Sequence, residues 1–255
     1  MKKQVETVLI FLFLSFFSLV TIYPVLNILG VSLRTDNAFQ SRSLSLIEVQ
    51  ESYTDLNNDG QWNTGEPFTD TNNNSRWDSG SSLKSYFTLF TETDFLLWAR
   101  NSIFVSLLVT LTGVTFASTG GYALSRFKFK GRKFGMTALL TTQMFPATML
   151  LLPFFILLSY LGLINSYIGL ILIYSSTALP FCVWQMKGYY DTIPPSLEES
   201  ARLDGCTRFQ AFYKIILPLS SPALVITALF SFMASWSEYV VAAIVLQDPK
   251  LYTLP

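Results

Sequence analysis

The sequence predicts an all-α polytopic membrane protein, and three observations predict it. Long uncharged apolar blocks recur along the chain. Charge is too sparse to coat a soluble surface: 51% of the 255 residues are apolar, 15% aromatic and only 13% charged. The cations, finally, gather in connections that would share one side of a bilayer.

A helix needs roughly 20 mainly apolar residues to cross the hydrocarbon core. Residues 7–33 meet that length without a charge and follow Lys2 and Lys3. A signal peptide also starts basic, but its apolar stretch covers roughly 7–15 residues and leads to an A-x-A-like cleavage site. Neither feature fits, so a retained first span is expected within a segment 1–34. A polar segment, 35–96, follows. The core, 97–255, then begins with an uncharged block at 101–125, closed by Arg126-Phe127-Lys128-Phe129-Lys130-Gly131-Arg132-Lys133, five cations in eight residues. Residues 134–186 carry no charge at all, too long for one helix and about right for two. Gly162, Asn165 and Ser166 punctuate that run, dividing it into spans 134–161 and 166–186. A last block, 219–246, holds one charge, Glu238.

Five spans result. Cations in short loops stay on the cytoplasmic side. A cytoplasmic N-terminus places Lys2, Lys3, the 126–133 cluster, Lys187, Arg202, Arg208 and Lys214 together in the cytoplasm. The expected location is therefore the inner (plasma) membrane, multi-pass, with the bilayer as first partner and 35–94 as a large external loop.

Composition also excludes. Lys+Arg and Asp+Glu balance at 17 each, which argues against a nucleic-acid partner. The chain has no histidine, so His-based zinc sites and Ser-His-Asp triads are absent. No G-x-x-x-x-G-K-[ST] phosphate loop occurs. Cys182 and Cys206 make no disulfide framework. Soluble catalysis is not expected.

The cytoplasmic segment 187–218 is the most informative. Ser196 followed three residues later by Glu199 reads as a capping box that starts a helix, and Gly205 suits the left-handed residue that ends one. Thr207 and Gln210 repeat the capping logic. Phe209, Phe212, Tyr213 and Ile216 form one apolar stripe, and Pro218 is expected to stop that second helix. Two short helices joined at a glycine elbow make a docking unit. Taken alone, Glu199 is equally well a capping residue on a surface hairpin.

Glu199-Ser200-Ala201, then Gly205, then Ile215-Ile216-Leu217-Pro218 resembles the EAA loop of bacterial ABC-importer permeases. Its pattern is E-A-A, Gly, and I-x-L-P; Ser200 replaces an alanine, and Cys206 another. Gly120-Gly121-Tyr122-Ala123-Leu124-Ser125-Arg126-Phe127, Phe145-Pro146 and Trp236-Ser237-Glu238-Tyr239 are similar to the MalG-type subunit of carbohydrate importers. The resemblance implies a type I ABC importer fold and a non-enzymatic permease subunit for sugars or oligosaccharides. The implied partners are a second, MalF-like permease subunit, two ATPase subunits that bind ATP, and an external solute-binding protein. It implies coupling to the ATPase through Glu199, Ser200, Ala201, Asp204, Gly205, Leu217 and Pro218. Such permeases continue through a sixth span, and Lys250-Leu251-Tyr252-Thr253-Leu254-Pro255 looks like the start of the preceding external loop. A C-terminally incomplete chain is the expectation.

The external loop carries its own pattern. Asp55, Asn57, Asp59, Gly60 and Glu66 follow D-x-[DN]-x-[DN]-G-x5-E, the calcium-loop spacing. Alternate Asp and Asn oxygens, the Gln61 carbonyl and a bidentate Glu66 would give calcium its ligands. A weaker copy lies fifteen residues on, at Asp70, Asn72, Asn74 and Asp78, with Trp77 matching Trp62 and Gly80 matching Gly65. The bland alternative is an Asn-rich solvated linker.

Inside the membrane, Glu238 is the one acid in a span, which suggests a function by default. It lines a path, pairs with a partner subunit or sits near the outer interface. Trp236, with Trp184, Tyr189 and Tyr190, suits an interfacial belt, and sugar stacking is the other use for Trp236. Gly113, Ala117, Gly120 and Gly121 suit close helix contact. Two rival functions follow: a channel or ion-coupled transporter using Glu238, and an ABC permease for a non-sugar solute such as a glycerol phosphate.

Overall fold

A computed structural model describes residues 2–33, 51–57, 62–70, 77, 80 and 83–254. The chain forms two compact units, Met1–Asp94 and Phe95–Pro255.

In the first unit, α1 (Lys2–Ser32) is one unbroken helix despite Pro24. Its apolar side chains between Val8 and Leu29 lie on every face and are largely exposed, the pattern of a helix whose solvent is lipid. Helix α2 (Lys84–Thr91) is tied back to it where the Ser32 and Tyr86 hydroxyls meet at 2.6 Å.

Between these helices the fifteen-residue repeat folds with a local two-fold relation. Tyr53 and Phe68, equivalent positions, form an antiparallel bridge. Thr54 N–H donates to Pro67 O and Thr69 N–H to Ser52 O, both at 2.9 Å. Trp62 and Trp77 stack at 5.4 Å; Trp62 Nε1–H donates to Glu66 O and Trp77 Nε1–H to Glu51 O, each at 3.1 Å. Gly65 and Gly80 both take positive φ, 109° and 80°. Each contact recurs with the two copies exchanged.

In the second unit, α3 (Phe95–Arg126), α6 (Tyr167–Thr192) and α10 (Ser221–Trp236) pack on one another. Small residues set how closely. A Cβ on Gly113 would stand 2.4 Å from Ser231 Oγ, and one on Gly121 2.9 Å from both Lys187 N and Met186 Cβ. Ser231 Oγ–H donates to Val109 O at 3.2 Å, and the Thr112 and Ser175 hydroxyls meet at 2.9 Å. Membrane helices associate through such close contacts and interhelical hydrogen bonds, because lipid supplies no hydrophobic drive.

Glu6–Ser32, Phe95–Arg126 and Tyr167–Thr192 are each long and apolar enough to cross a membrane. Arg208–Leu219 with Ser221–Trp236, bent by 76°, make a fourth such unit. Expected span 134–161 is instead broken into α4 (Arg132–Thr142), a 3-10 turn (Ala147–Leu150) and α5 (Leu151–Tyr160). Pro146 enters that turn, and a proline there withholds a helical N–H. Expected span 219–246 is likewise interrupted, with α11 (Val240–Val245) following α10 after Ser237, Glu238 and Tyr239. The connection at 162–166 behaves as expected: Gly162 and Asn165 take positive φ (66° and 58°), and Ser166 Oγ caps α6 by accepting from Gly169 N–H.

Candidate functional site

The hairpin comes first from its sequence. Helix α7 (Ser196–Leu203) ends in a Schellman motif: Cys206 N–H donates to Ala201 O at 3.0 Å and Gly205 N–H to Arg202 O at 3.1 Å, with Gly205 at φ 90°. Thr207 and Gln210 form the reciprocal capping box that starts α8 (Arg208–Ala211). Three details differ from expectation. Helix α6 runs on to Thr192, so the segment assigned to a loop from 187 begins as helix. The residue before α7 is Pro195, and Ser196 is already helical and caps nothing; Ser196 and Glu199 form no capping box. Proline's fixed φ suits a helix start without a side-chain cap. Nor does Pro218 stop the second limb. A π turn (Phe212–Ile216) precedes it, and α9 (Leu217–Leu219) carries the helix through the proline. A π register shifts the local hydrogen-bond ladder, which accommodates a residue without an N–H.

The two adjacent acids of α7 part company. Glu198 turns inward. Its Oε1 accepts from Arg126 Nε at 2.5 Å and its Oε2 from Tyr122 Oη–H at 2.8 Å, while Arg126 Nη2 donates to Ile193 O at 2.8 Å. Ser125 Oγ–H donates to Asp191, which also pairs with Lys187. Behind this lattice, Tyr122 packs on Phe212 at 4.4 Å and on the fully buried Tyr190 at 5.9 Å, and the Arg208 guanidinium lies 5.9 Å from the Phe127 ring centroid. The end of α3 thus holds both limbs of the hairpin.

Glu199 turns outward. With Arg202, Leu203, Cys206, Thr207 and Arg208 it borders an open concavity of about 670 Å³ at the elbow. Ser200, Asp204 and Gly205 are exposed, Ala201 is buried, Leu217 is half-buried and Pro218 is exposed. Leu203 and Phe209 beside it are 88% and 74% exposed. Arg126, Tyr122 and Glu198 were absent from the expected site. Glu198 lies three residues before the buried Ala201, on the same helix face, and that register is the signal that points to it.

Glu238 lies in the break between α10 and α11. Its Oε1 accepts from Val241 N–H at 2.9 Å, capping α11, and Tyr174 Oη–H donates to its backbone carbonyl at 3.0 Å. Trp236 stacks on Phe232 at 5.5 Å.

In the external repeat, the Glu66 carboxylate accepts from Leu56 N–H at 2.9 Å and from Asn63 N–H at 2.8 Å. It closes the loop on backbone amides. Asp55, Asn57 and Asp70 are described, whereas Asp59, Gln61, Asn72, Asn74 and Asp78 lie outside the described residues. Among the described residues no three acidic or thiol side chains are grouped to hold a metal ion.

The long apolar helices α1, α3 and α6, each able to cross a membrane, and the interrupted ones in the second unit define a multi-pass helical membrane protein. Residues 110–255 match the family described as the binding-protein-dependent transport system inner membrane component, and the chain belongs to that family. It is 31% identical to the maltodextrin transport system permease protein MdxG of Bacillus subtilis, over 99% of this chain and 79% of that one. It is 30% identical to the galactooligosaccharides transport system permease protein GanQ of the same species (100% and 80%). Identity reaches 36% with the trehalose/maltose transport system permease protein MalG of Thermococcus litoralis, over 69% and 64%. The fold superposes on the crystal structure of a bacterial ABC transporter involved in the import of the acidic polysaccharide alginate. There the TM-score is 0.71 at 24% identity, covering 98% of this chain and 77% of that one. The protein is therefore a transport component of the inner membrane. The reading of Glu238 as the coupling site of a channel or ion-coupled transporter gives way to this membership.

Proposed function

We propose that the chain is a permease subunit of an ATP-driven oligosaccharide importer whose hairpin 196–219 receives the stroke of an ATPase. The divergence of Glu198 and Glu199 carries this reading. One carboxylate anchors the hairpin to α3, and its neighbour faces a concavity rimmed by Arg202, Arg208 and exposed Leu203. A partner that fills this concavity and covers Phe209 moves α3 and α10 with it, because both helices are built into the hairpin's base. Ser200, Ala201, Asp204, Gly205, Leu217 and Pro218 shape that docking surface. The N-terminus is cytoplasmic in this arrangement, ATP is bound by two partner subunits, and a second permease subunit and an external solute-binding protein complete the assembly. Oligosaccharide as solute is supported by the relatives named for maltodextrin, galactooligosaccharide and maltose. For the external loop, the Asp55–Glu66 spacing supports a structural calcium ion that replaces the two amides now held by Glu66.

Co-purification with the candidate ATPase tests the coupling role. Glu199→Ala is expected to weaken the complex, and Gly205→Pro to abolish it, since proline cannot reach a φ near 90°. Full assembly and full ATP-driven uptake by both variants would overturn the assignment.

A further inference from the structure

The two interrupted spans break against the same stretch of α6. Tyr174 bonds to the backbone of Glu238 in one break. One turn further on, Thr177 O accepts from Gln143 Nε2–H at 3.0 Å in the other. Thr177 lies about 15 Å into α6 from Tyr167, counting 1.5 Å per residue, which is near mid-depth in a core roughly 30 Å thick. Non-helical backbone survives at that depth only where protein buries it or it lines a watery cavity. Discontinuous helices meeting near the midplane are where transporters place solute.

A cavity is present at that level. Between the break after α4 and the adjoining turn of α6 lies a notch of about 380 Å³, bordered by Gln143, Phe145, Phe154, Ser176, Thr177 and Pro180 among others. That volume falls within the usual range for small-molecule sites. Pro180 has no N–H, so the Ser176 carbonyl loses its ordinary helical donor. The notch therefore offers that carbonyl, the Ser176 and Thr177 hydroxyl oxygens and the Gln143 amide, beside two phenyl rings. Among the described residues no ionisable side chain borders it. Acceptor-rich, aromatic and uncharged, it fits hydroxyl donors and C–H faces, and offers a carboxylate, phosphate or ammonium no counter-charge.

We propose that this notch is a solute subsite on this subunit for a neutral, polyhydroxylated chain, contacted during passage through the membrane. The inference rests on the importer reading above and adds the residues that touch solute. The assembled complex, with its partner permease, ATPases and binding protein, is reconstituted in vesicles, and uptake of radiolabelled maltotriose and galactotriose is measured alongside ATP hydrolysis. Gln143→Leu is expected to lower solute moved per ATP about fivefold, the ratio one hydrogen bond supports, and Phe154→Ala, which removes a stacking face, to lower it as well. ATPase stimulation by loaded binding protein should persist. If either variant fails to assemble, Ser176→Ala, which removes a single exposed hydroxyl, gives the same readout at smaller amplitude. Further, a thiol at position 176 (Ser176→Cys, with Cys182→Ser and Cys206→Ser) should be modified more slowly by a thiol reagent when the vesicles are turning over saturating sugar. Unchanged coupling ratios with no such protection overturn the subsite and leave the importer reading standing. A wild-type complex that hydrolyses ATP and moves neither sugar overturns the oligosaccharide reading, and the subsite with it.

Discussion

Arg126 and Glu198, seventy-two positions apart in the chain, share a 2.5 Å contact with side chains only 12% and 14% exposed. At that exposure water screens the pair weakly, so removing one partner strands the other. Arg126→Ala is expected to destabilise the protein by about 3 kcal/mol, the lower end for a broken buried pair. Glu198→Gln, which keeps an acceptor for Tyr122, should cost less. A double-mutant cycle on thermal unfolding of the detergent-purified protein should show coupling above about 1 kcal/mol; additive losses would reduce the contact to a bystander.

Adjacent glycines on α3 should behave oppositely. A methyl group on Gly120 would meet Val183 at an ordinary 3.7 Å, but on Gly121 it would meet the Lys187 backbone at 2.9 Å. Gly120→Ala should be neutral, or stabilising by up to about 1 kcal/mol through helix propensity. Gly121→Ala should cost about 1–3 kcal/mol, because α3 and α6 must separate. Equal melting temperatures for the two variants would contradict this packing.

Glu238 is expected to act as a cap. Losing it in Glu238→Ala should lower stability by about 1 kcal/mol, while Glu238→Gln retains an oxygen for Val241 N–H and should retain more of the stability and all of the uptake. Dependence of uptake on a proton or sodium gradient, lost in Glu238→Gln, would show instead that the carboxylate's charge is what matters.

Calcium in the external repeat has an optical readout. The stacked pair Trp62 and Trp77 is bonded to Glu66 and Glu51, so drawing Glu66 onto a cation must disturb the indoles. Millimolar calcium, the range of weak extracellular sites, should change the tryptophan fluorescence of the full chain, and Asp59→Ala should remove the change. A flat titration would leave Glu66 as a staple between backbone amides.

Local chemistry was the legible part. Gly162 and Gly205 by lacking a Cβ, and Asn165, Ser166 and the Thr207–Gln210 box by their polar side chains, each specify a backbone conformation locally, and all stand where the sequence placed them. Uncharged length also located α1, α3 and α6. What stayed hidden depends on neighbours far along the chain. Nothing near Arg126 says that its partner is Glu198 and not the equally acidic Glu199; that choice follows from which face Ala201 buries. The breaks at Gln143–Pro146 and Ser237–Tyr239 were masked because apolar residues fill broken and continuous helices alike. Both breaks are held to α6, the first by the Gln143 side chain donating to Thr177 O and the second by Tyr174 donating to the Glu238 carbonyl, contacts no local pattern records. Pro218 misled for the same reason. Its disruption is absorbed upstream, by the π turn over Phe212–Ile216.

That turn has a mechanical consequence. From Arg208 to Leu219 the second limb is helix throughout, and it meets α10 at a 76° corner with no flexible linker between. Load applied at the tip has no slack to take up before it arrives among the buried helices. Under the proposed coupling role, a limb of this form would convert sideways travel at its tip into rotation at the corner.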